Sequence, residues 1–554
     1  MSELPYSYHT FLFPFLWNDD GKIQWEEFKR VLSIGRRWRE TSWKREQIPD
    51  GVCQEEWLQD FAAFQYFTGP ANNVIFNTRG DNVVRCFEYL YNGTSLKNHG
   101  KYVISKGDKT YRLDINNIRL HVYDIGVAIL ILELENKNYA ELDAVDEINE
   151  YGRRINMPFL SVDESHPVCA DKIEITMDEM PFGTENYLET LQELALDFSN
   201  RSKHFSLNYI MKPIQKLLDG NGVDNGGYMV TSNTEHAGLK NMFIKPCVDD
   251  RMFVCCLVRD ETFSISIKSY DVKMREYSYL SDCDKHDESG EVVQKTISNE
   301  LYKLCFIEKD VTCQSTSMKR EILKKSVYDR WIDWGTIHAV THHSFICVTG
   351  KWEGLDKTVI FPFLTQYVQI LILALAQRSA ILLLSNEAST VAEGFKDNEN
   401  ITSEQIGQIE QLQAKYVKVQ NQLLLSEITV QEQGVEIYNC IREQLYIGTN
   451  KHGLDEQLNN LRDVTYIRNE RLEREKDKIQ EDNDRKINLK INIFAIVIAL
   501  LAVIEPLSAV IKNYWFFKNY SVDCIWVALD FLVLLICLIY LIWWSIKRHR
   551  SKKR

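Results

Sequence analysis

Two long apolar segments near the C-terminal end stand out from the mixed apolar and polar pattern of the chain. They are residues 491–511 (INIFAIVIALLAVIEPLSAVI) and residues 524–546 (CIWVALDFLVLLICLIYLIWWSI). A helix of about 20 apolar residues crosses the roughly 30 Å hydrocarbon core of a bilayer. Because only residues 512–523 separate the two segments, the pattern predicts a transmembrane helical hairpin.

The charges that flank these segments predict the orientation of the hairpin. Basic residues are concentrated before the first segment and in the tail at 547–554, whereas the linker offers only Lys512 and Lys518. Basic flanks stay on the cytoplasmic side of a membrane. We therefore expect a multi-pass membrane protein whose N- and C-termini are both cytoplasmic.

Two carboxylates lie inside the predicted spans, Glu505 in the first and Asp530 in the second. Charged groups at membrane depth usually face a bundle interior or a water path, so both are candidate pore residues. Pro506 follows Glu505 and either kinks the helix or ends it. If the helix ended there, Glu505 would lie at the membrane surface.

A third apolar segment, residues 367–384, is broken at its centre by Gln377 and Arg378. A charged side chain at the centre of a span costs about 2.5–3.5 kcal/mol on insertion scales. We therefore expect a helix that is buried in the cytosolic part or lies on the membrane surface, with re-entry into the membrane as the alternative.

The residues ahead of the first span, 366–490, are predicted to form a helical stalk. From residue 402 onward the sequence is rich in Glu, Gln, Lys, Arg and Leu and contains no proline, and Leu454, Leu458 and Leu461 recur at helical spacing. Because no helix breaker precedes the first apolar segment, stalk and span are expected to share one helix.

Local signals predict where the stalk helices begin and turn. Thr402 with Gln405 is a capping-box pattern for the start of one long helix. Gly448 and Gly453 predict a turn between two antiparallel helices. The mixed charges of residues 468–486 are typical of a solvated helix face, which would become an ion-pair seam in a parallel oligomer.

Residues 1–365 mix strand and helix patterns, which indicates an α+β cytosolic domain. Strand patterns cover 112–121, 127–135, 250–258 and 338–348, helix patterns cover 140–154 and 182–216, and 219–228 is a glycine- and asparagine-rich loop. The first two strands are expected to be neighbours in one sheet. The predicted order of domains is an α+β ligand-sensing domain at 1–365, the stalk at 366–490, the two spans within 491–546, and a basic cytosolic tail at 547–554.

Composition narrows the function classes. The net charge of −13 argues against nucleic acid as a direct partner, since phosphate backbones require a basic face. The 13 cysteines form no C-x-x-C pair, which indicates reduced thiols and neither a disulfide framework nor a zinc site. No P-loop, G-x-S-x-G, H-E-x-x-H or dinucleotide glycine motif is present, so an enzyme is disfavoured.

Three residues are candidates for ligand binding. Arg153 and Arg154 end a predicted helix, and paired guanidinium forks suit a phosphate, although basic residues there could simply complement the helix C-terminus. Asp219 opens the loop at 219–228. It could accept a hydrogen bond from an amine or a ribose hydroxyl if the loop covers a ligand; the alternative is a solvent-exposed turn.

Three histidines, His338, His342 and His343, invite a metal hypothesis. They fall in a strand pattern without a neighbouring carboxylate cluster or cysteine pair at zinc spacing. We therefore predict no metal site and expect histidines with structural or interface roles.

A cytosolic α/β body, long helices, a first span, a short outer loop, a second span and a basic tail together resemble the CorA superfamily of divalent-cation transporters, over about residues 110–554. In that family the outer loop opens with Gly-Met-Asn. Here the corresponding sequence is IEPLSAVIKNYWFFKNY, which argues against ordinary Mg²⁺ transport. With the enlarged body and the aromatic run at 6–17, the chain is similar to a divergent CorA branch encoded beside type III CRISPR systems.

The resemblance implies a membrane effector of an antiviral CRISPR system in the bacterial inner membrane. Its expected ligand is a nucleotide second messenger, a conjugate of S-adenosylmethionine with AMP, for which Arg153, Arg154 and Asp219 are the candidate binding residues. Binding is expected to open or disrupt the membrane through a homo-oligomer, a pentamer if the CorA pattern holds. No cofactor is expected, except a divalent cation as a transported ion.

Two other functions remain open at this point. One is a channel or transporter for Mg²⁺ or Co²⁺ with an atypical selectivity loop. The other is an enzyme or scaffold that the two spans only tether to the membrane.

Overall fold

The computed structural model describes most of the chain between the N-terminus and the first predicted span. The described ranges are 4–17, 38–41, 61–78, 83–154, 170–186, 223–230, 242–394 and 403–516, with short gaps inside some of them, and also Leu535, Ile539 and Trp543. Internal contacts divide the chain into two units, Met1–Thr465 and Tyr466–Arg554.

A large mixed sheet forms the centre of the first unit. The strands are β1 Ser7–Leu16, β2 Trp38–Thr41, β3 Val84–Tyr91, β4 Thr94–Ser95, β5 Gly100–Lys106, β6 Lys109–Tyr123, β7 Val127–Asn136, β8 Lys172–Met177, β9 Met180–Asn186, β10 Val223–Asp224, β11 Gly227–Val230, β12 Met242–Pro246, β13 Phe253–Arg259, β14 Tyr270–Asp271, β15 Glu276–Tyr277, β16 Lys285–His286, β17 Val292–Gln294, β18 Val327–Tyr328, β19 Ile337–Val340 and β20 Ser344–Thr349. The main sheet runs in the order β18-β19-β20-β13-β1-β7-β6-β5-β8-β9. Its strands pair antiparallel, except that β13 and β20 are parallel.

Helices cover the faces of this sheet and lead away from it. They are α1 Gly69–Phe76, α2 Leu142–Gly152, α3 Glu261–Ile267, α4 Ile297–Phe306, α5 Thr316–Ser326, α6 Val368–Glu393, α7 Ser403–Gln422, α8 Glu432–Gln444 and α9 Ile447–Phe516. Two short π-helical turns, Asp356–Ile360 and Phe363–Tyr367, lead into α6.

The aromatic run at 6–17 forms the central strand β1, and every residue of that strand is buried. Phe11, Phe13 and Phe15 contribute to the apolar cluster on one face of the sheet, and Leu12 and Leu16 to the cluster on the other. A strand that is covered on both faces has no polar alternation, which explains the continuous apolar run from Phe11 to Leu16.

Several predicted elements of the body are confirmed and others are wrong. The patterns at 112–121 and 127–135 are β6 and β7, which pair with each other. The predicted strand at 338–348 is instead the hairpin β19–β20, because Thr341 Oγ1 accepts hydrogen bonds from the amides of His343 (3.2 Å) and Ser344 (3.1 Å) and fixes a turn.

Two further body predictions fall partly outside the described residues. Residues 182–186, predicted as the start of a helix, belong to strand β9, which pairs with β8. Part of the predicted loop at 219–228 is the hairpin β10–β11. Asp219 lies outside the described residues.

The apolar segment around Gln377 and Arg378 is helix α6, and the sequence prediction of a buried helix is confirmed. Residues Asp356–Glu393 are, among the described residues, the one helix long and apolar enough to cross a membrane, and 67% of its most apolar stretch is buried inside the protein. Gln377 is 1% exposed, and its Nε2 donates to Leu423 O (2.9 Å) and Tyr438 Oη (2.8 Å). A buried amide with partners at these distances fits a protein core.

The helices after α6 contribute to the core of the first unit, which extends to Thr465. The predicted boundary between sensing domain and stalk at residue 365 stays a prediction. The long helix predicted from Thr402 is two helices, α7 and α8, with a break between them. Thr402 lies outside the described residues, and Gln405 Nε2 donates to Gly394 O (2.8 Å), which ties α7 back to the end of α6.

The turn predicted between Gly448 and Gly453 is wrong, because both glycines lie inside α9. The chain turns at Leu445 and Tyr446 instead. Leu445 is buried, and Tyr446 adopts the left-handed backbone conformation with φ 53°. Packing of Leu445 against the core therefore sets the turn, and glycine is not required there.

Helix α9 runs from Ile447 to Phe516 without interruption, as predicted for a shared stalk and span. Leu454, Leu458 and Leu461 pack in the core of the first unit. Every residue from 491 to 499 is exposed although all but Asn492 are apolar. The helix continues past Pro506, so Glu505 does not mark its end.

The second predicted span lies outside the described residues except for three helical positions. These are Leu535, Ile539 and Trp543, which are 52%, 58% and 51% exposed. Their spacing of four places them on one side of a helix. The hairpin itself and a pore role for Asp530 stay predictions.

Gly434 on α8 gives a direct test of core packing. A Cβ there would lie 2.7 Å from Thr429 Cγ2 and closer still to Tyr66 Oη. Overpacking of this kind costs about 1–3 kcal/mol, so we expect Gly434→Ala to lower the free energy of unfolding by that amount in urea titrations. Gly448→Ala is the control, because a Cβ there meets nothing within 4 Å; it should stabilise α9 by about 0.5–1 kcal/mol. Equal effects of the two substitutions would contradict the packing described.

A second stability prediction concerns His338, which lies among the rings of Tyr328, Phe345, Phe363 and Tyr367. Neither ring nitrogen has a hydrogen-bond partner among the described residues. Burial lowers the pKa of His338 to about 4. The unfolded chain binds a proton here below about pH 6.5 and the folded chain does not, so stability should fall as the pH drops from about 6.5 towards 4.

We expect His338→Phe to raise the free energy of unfolding by about 1–3 kcal/mol near neutral pH, because it removes buried polar atoms that lack partners. The variant should also lose part of the decrease in stability at acidic pH. His452→Phe is the matched control, since the His452 side chain is 77% exposed. An unchanged pH dependence in His338→Phe would argue against a neutral buried histidine.

Candidate anion-binding site

Helix α2 places Arg153 and Arg154 beside the start of β13. Its last residue, Gly152, packs so closely that a Cβ would lie 2.9 Å from Ile104 Cδ1 and 3.0 Å from Phe11 Cζ. Tyr102 Oη donates to Gly152 O at 2.7 Å and satisfies a carbonyl at the helix end. The position of the two arginines is therefore fixed by close backbone packing against the sheet.

Both arginines are buried and share one carboxylate. Arg153 is 2% exposed and Arg154 is 9% exposed. Arg153 Nη2 lies 3.2 Å from Glu150 Oε2, and Arg154 Nη2 contacts Glu150 Oε1. Two buried guanidinium groups thus have one buried carboxylate between them, which leaves this group of three with a positive charge.

The Arg153 guanidinium makes few of the hydrogen bonds that it can donate. Besides Glu150, Nη2 contacts Ile307 O at 3.4 Å, while Nε and Nη1 have no partner among the described residues. Burial, together with the nearby charges of Arg251 and Arg154, lowers the pKa of Arg153 to about 10, although Glu150 opposes this shift. An anion bound here would supply the missing acceptors.

Backbone pairing brings a third arginine, Arg251, close to the pair. Arg154 and Arg251 form an isolated antiparallel bridge, and Met252 N donates to Arg153 O at 2.8 Å. The bridge brings the start of β13 next to the end of α2. This geometry, in which the buried guanidinium of Arg153 keeps open donors close to two further arginines, favours a phosphate or another oxyanion.

The hairpin turn between β19 and β20 connects this region to the start of α9. His343 lies close enough for Arg153 and Arg251 to lower its pKa, after the larger effect of burial. The neighbouring His342 packs its ring on Tyr446, with 4.7 Å between the ring centroids. Tyr446 is the residue directly before α9, so the β19–β20 turn, which lies near the arginines, contacts the start of that helix.

The sequence-predicted site residues therefore separate into three groups. Arg153 and Arg154 come together, with Glu150 as an unpredicted partner. Glu505 lies on helix α9, while Asp219 and Asp530 fall outside the described residues. Glu150 could have been found from its spacing of three and four residues before the arginines on one helix face.

An acidic group lies elsewhere in the first unit, formed by Asp143 and Asp146 of α2 and Glu300 of α4. Their nearest ligand atoms all lie within 4.8 Å of one another, a spacing that could hold a metal ion. Acidic groups with this spacing are common without a metal. Nothing else in the described part of the first unit points to an ion there.

Comparisons with known proteins assign no family to the chain. No family model matches it, and neither a curated protein nor a solved structure was found to match. The function is therefore inferred from the arginine pair and from helix α9.

Proposed function

We propose that the protein is a membrane effector that an anionic nucleotide messenger gates by binding at Arg153 and Arg154. The observation that carries this proposal is the continuity of helix α9. One uninterrupted helix packs into the core at Leu454, Leu458 and Leu461 and then becomes apolar and exposed from residue 491. A helix that is apolar on every face requires lipid or protein around it.

The position of the β19–β20 turn, between the arginine site and the start of α9, supports gating. A ligand shifts an equilibrium between two states only by its difference in affinity for them. The proposed ligand site lies next to the β19–β20 turn, and His342 of that turn contacts Tyr446 at the start of α9. A movement of this turn on ligand binding would therefore act on the helix that carries the apolar segment.

The messenger we propose is the conjugate of S-adenosylmethionine with AMP, which the resemblance to the type III CRISPR branch of CorA proteins implies. Its phosphate suits the guanidinium forks of Arg153 and Arg154. The bound protein would act as a homo-oligomer in the bacterial inner membrane and open or disrupt that membrane as an antiviral response.

The proposal is tested by efflux from lipid vesicles that contain the full-length protein and are loaded with a fluorescent dye and Mg²⁺. We expect rapid efflux only after the conjugate is added, and none with AMP or S-adenosylmethionine alone. Mg²⁺ flux that needs no messenger would favour a constitutive cation transporter. Turnover of the conjugate without any efflux would favour a tethered enzyme.

A further inference from the structure

A small recess lies beside the arginine pair, between the start of β13, the β19–β20 turn and helix α6. Asp249, Arg251, His342 and His343 line it, together with apolar side chains that include Leu375 of α6. Its volume of about 20 Å³ has room for about one water molecule. The polar residues of this recess come from two separate parts of the chain.

Asp249 acts inside this recess as an internal counter-ion. Its Oδ2 accepts from Arg251 Nε at 3.1 Å and from Arg251 Nη2 at 2.9 Å, and it lies 3.7 Å from His343 Nδ1. Glu150 holds the same position between Arg153 and Arg154. In both places a carboxylate of the protein occupies the position that suits an oxyanion of a ligand.

Helix α6 supplies a further guanidinium group. Arg378 Nε and Nη1 are buried and have no hydrogen-bond partner among the described residues. Burial lowers the pKa of Arg378, and the charges of Cys247 and Asp249 oppose this shift. Cys247 Sγ donates to Ser379 O at 3.5 Å, so the turn of α6 that carries Arg378 lies beside the segment that carries Asp249. Arg378 also lowers the pKa of His342, after the larger effect of burial.

We propose that the anion site extends from the arginine pair into this recess, where Arg251 and Arg378 bind a second acidic group of the same ligand. The recess has room for only about one water molecule, so this group enters in place of the Asp249 carboxylate, which leaves Arg251 when the group binds. The ligand class is then a compound with two acidic groups, at least one of them a phosphate. This inference rests on the proposed function, which assigns the phosphate of the ligand to Arg153 and Arg154.

Titration calorimetry of the detergent-purified full-length protein with inorganic orthophosphate and pyrophosphate tests the recess directly. Arg251→Gln and Arg378→Gln should each weaken pyrophosphate binding about 10- to 100-fold, because each removes a charge-assisted contact. Orthophosphate, which carries one phosphorus centre, should bind these variants as it binds the wild type. Asp249→Asn should tighten pyrophosphate binding, since it removes the competing carboxylate.

Because Asp249→Asn is expected to bind pyrophosphate more tightly, the test remains valid even if an arginine variant fails to fold. Unchanged or weaker pyrophosphate binding in Asp249→Asn would overturn the inference. Loss of binding in Arg153→Gln alone, with Arg251→Gln and Arg378→Gln unaffected, would confine the anion to the arginine pair and leave the proposed function standing. If pyrophosphate binding depends on Arg378 but the adenylated conjugate does not bind, the recess is an anion site and the proposed messenger is wrong.

Discussion

Loss of the two arginines at the end of α2 is expected to abolish messenger binding. Each charge-assisted contact between a guanidinium and a phosphate contributes about 1.5–3 kcal/mol, so the double variant Arg153→Ala/Arg154→Ala should bind about 100- to 10,000-fold more weakly. Calorimetry with the conjugate of S-adenosylmethionine and AMP measures this directly. Efflux from vesicles should disappear together with binding.

The alanine variant alone is not decisive, because it leaves Glu150 buried without its partners. Removing one side of a buried ion pair destabilises a protein by about 3–5 kcal/mol. Combining Glu150→Gln with Arg153→Gln and Arg154→Gln removes all three charges and keeps amides that can hydrogen-bond one another. We expect this variant to melt close to the wild type and still to bind no messenger.

A matched control removes charges of the same kind away from the site. Arg119 and Glu133 form a partly buried ion pair across β6 and β7. Arg119→Gln/Glu133→Gln should bind the messenger as the wild type does. Wild-type affinity in the neutral triple variant would show that the ligand binds elsewhere.

Deletion of residues 491–554 is expected to release the protein from membranes and to abolish efflux while messenger binding persists. The core clusters of the first unit contain no residue beyond Leu461. The deleted part therefore contributes no side chain to the described core that holds the arginines. Flotation of the protein with vesicles and calorimetry with the messenger measure the two properties separately.

Charge substitutions in the full-length chain refine this second prediction. Ile493→Asp/Val497→Asp places two carboxylates in the exposed apolar stretch, and each costs about 2.5–3.5 kcal/mol at the centre of a membrane helix. Gln480→Asp/Asn483→Asp is the matched control in the polar part of α9. Full membrane activity in the truncated protein would instead show that the first unit acts alone and that the spans only tether it.

The fold was predictable from sequence where neighbours along the chain set the structure. The pairing of β6 with β7 follows from two strand patterns joined by a short connection, and α2 follows from its helical periodicity. The hairpin β19–β20 was not recognised, because its turn depends on the Thr341 side chain rather than on glycine or proline. The break between α7 and α8 was missed because Leu423 and Ile428 extend the apolar pattern of the core through it.

The candidate site was predictable only in part. Arg153 and Arg154 were recognised in the sequence as a basic pair before a turn. The helical spacing between Glu150 and these arginines could have identified Glu150 as their partner. Arg251 and Arg378 carried no such signal, since each is an isolated basic residue far along the chain. Only the bridge between Arg154 and Arg251 and the packing of α6 bring them to the same region.

The sequence by itself determined the apolar segments and the unbroken helix that leads into the first of them. These properties depend on hydrophobicity and on the absence of helix breakers, which are local. The tertiary structure alone decided between the buried and membrane-surface positions that the sequence left open for α6. It also decided that α7, α8 and the start of α9 complete the same core, and that guanidinium groups from separate elements meet. Burial and charge pairing depend on contacts between residues distant in sequence, and local periodicity carries no information about which distant residues those are.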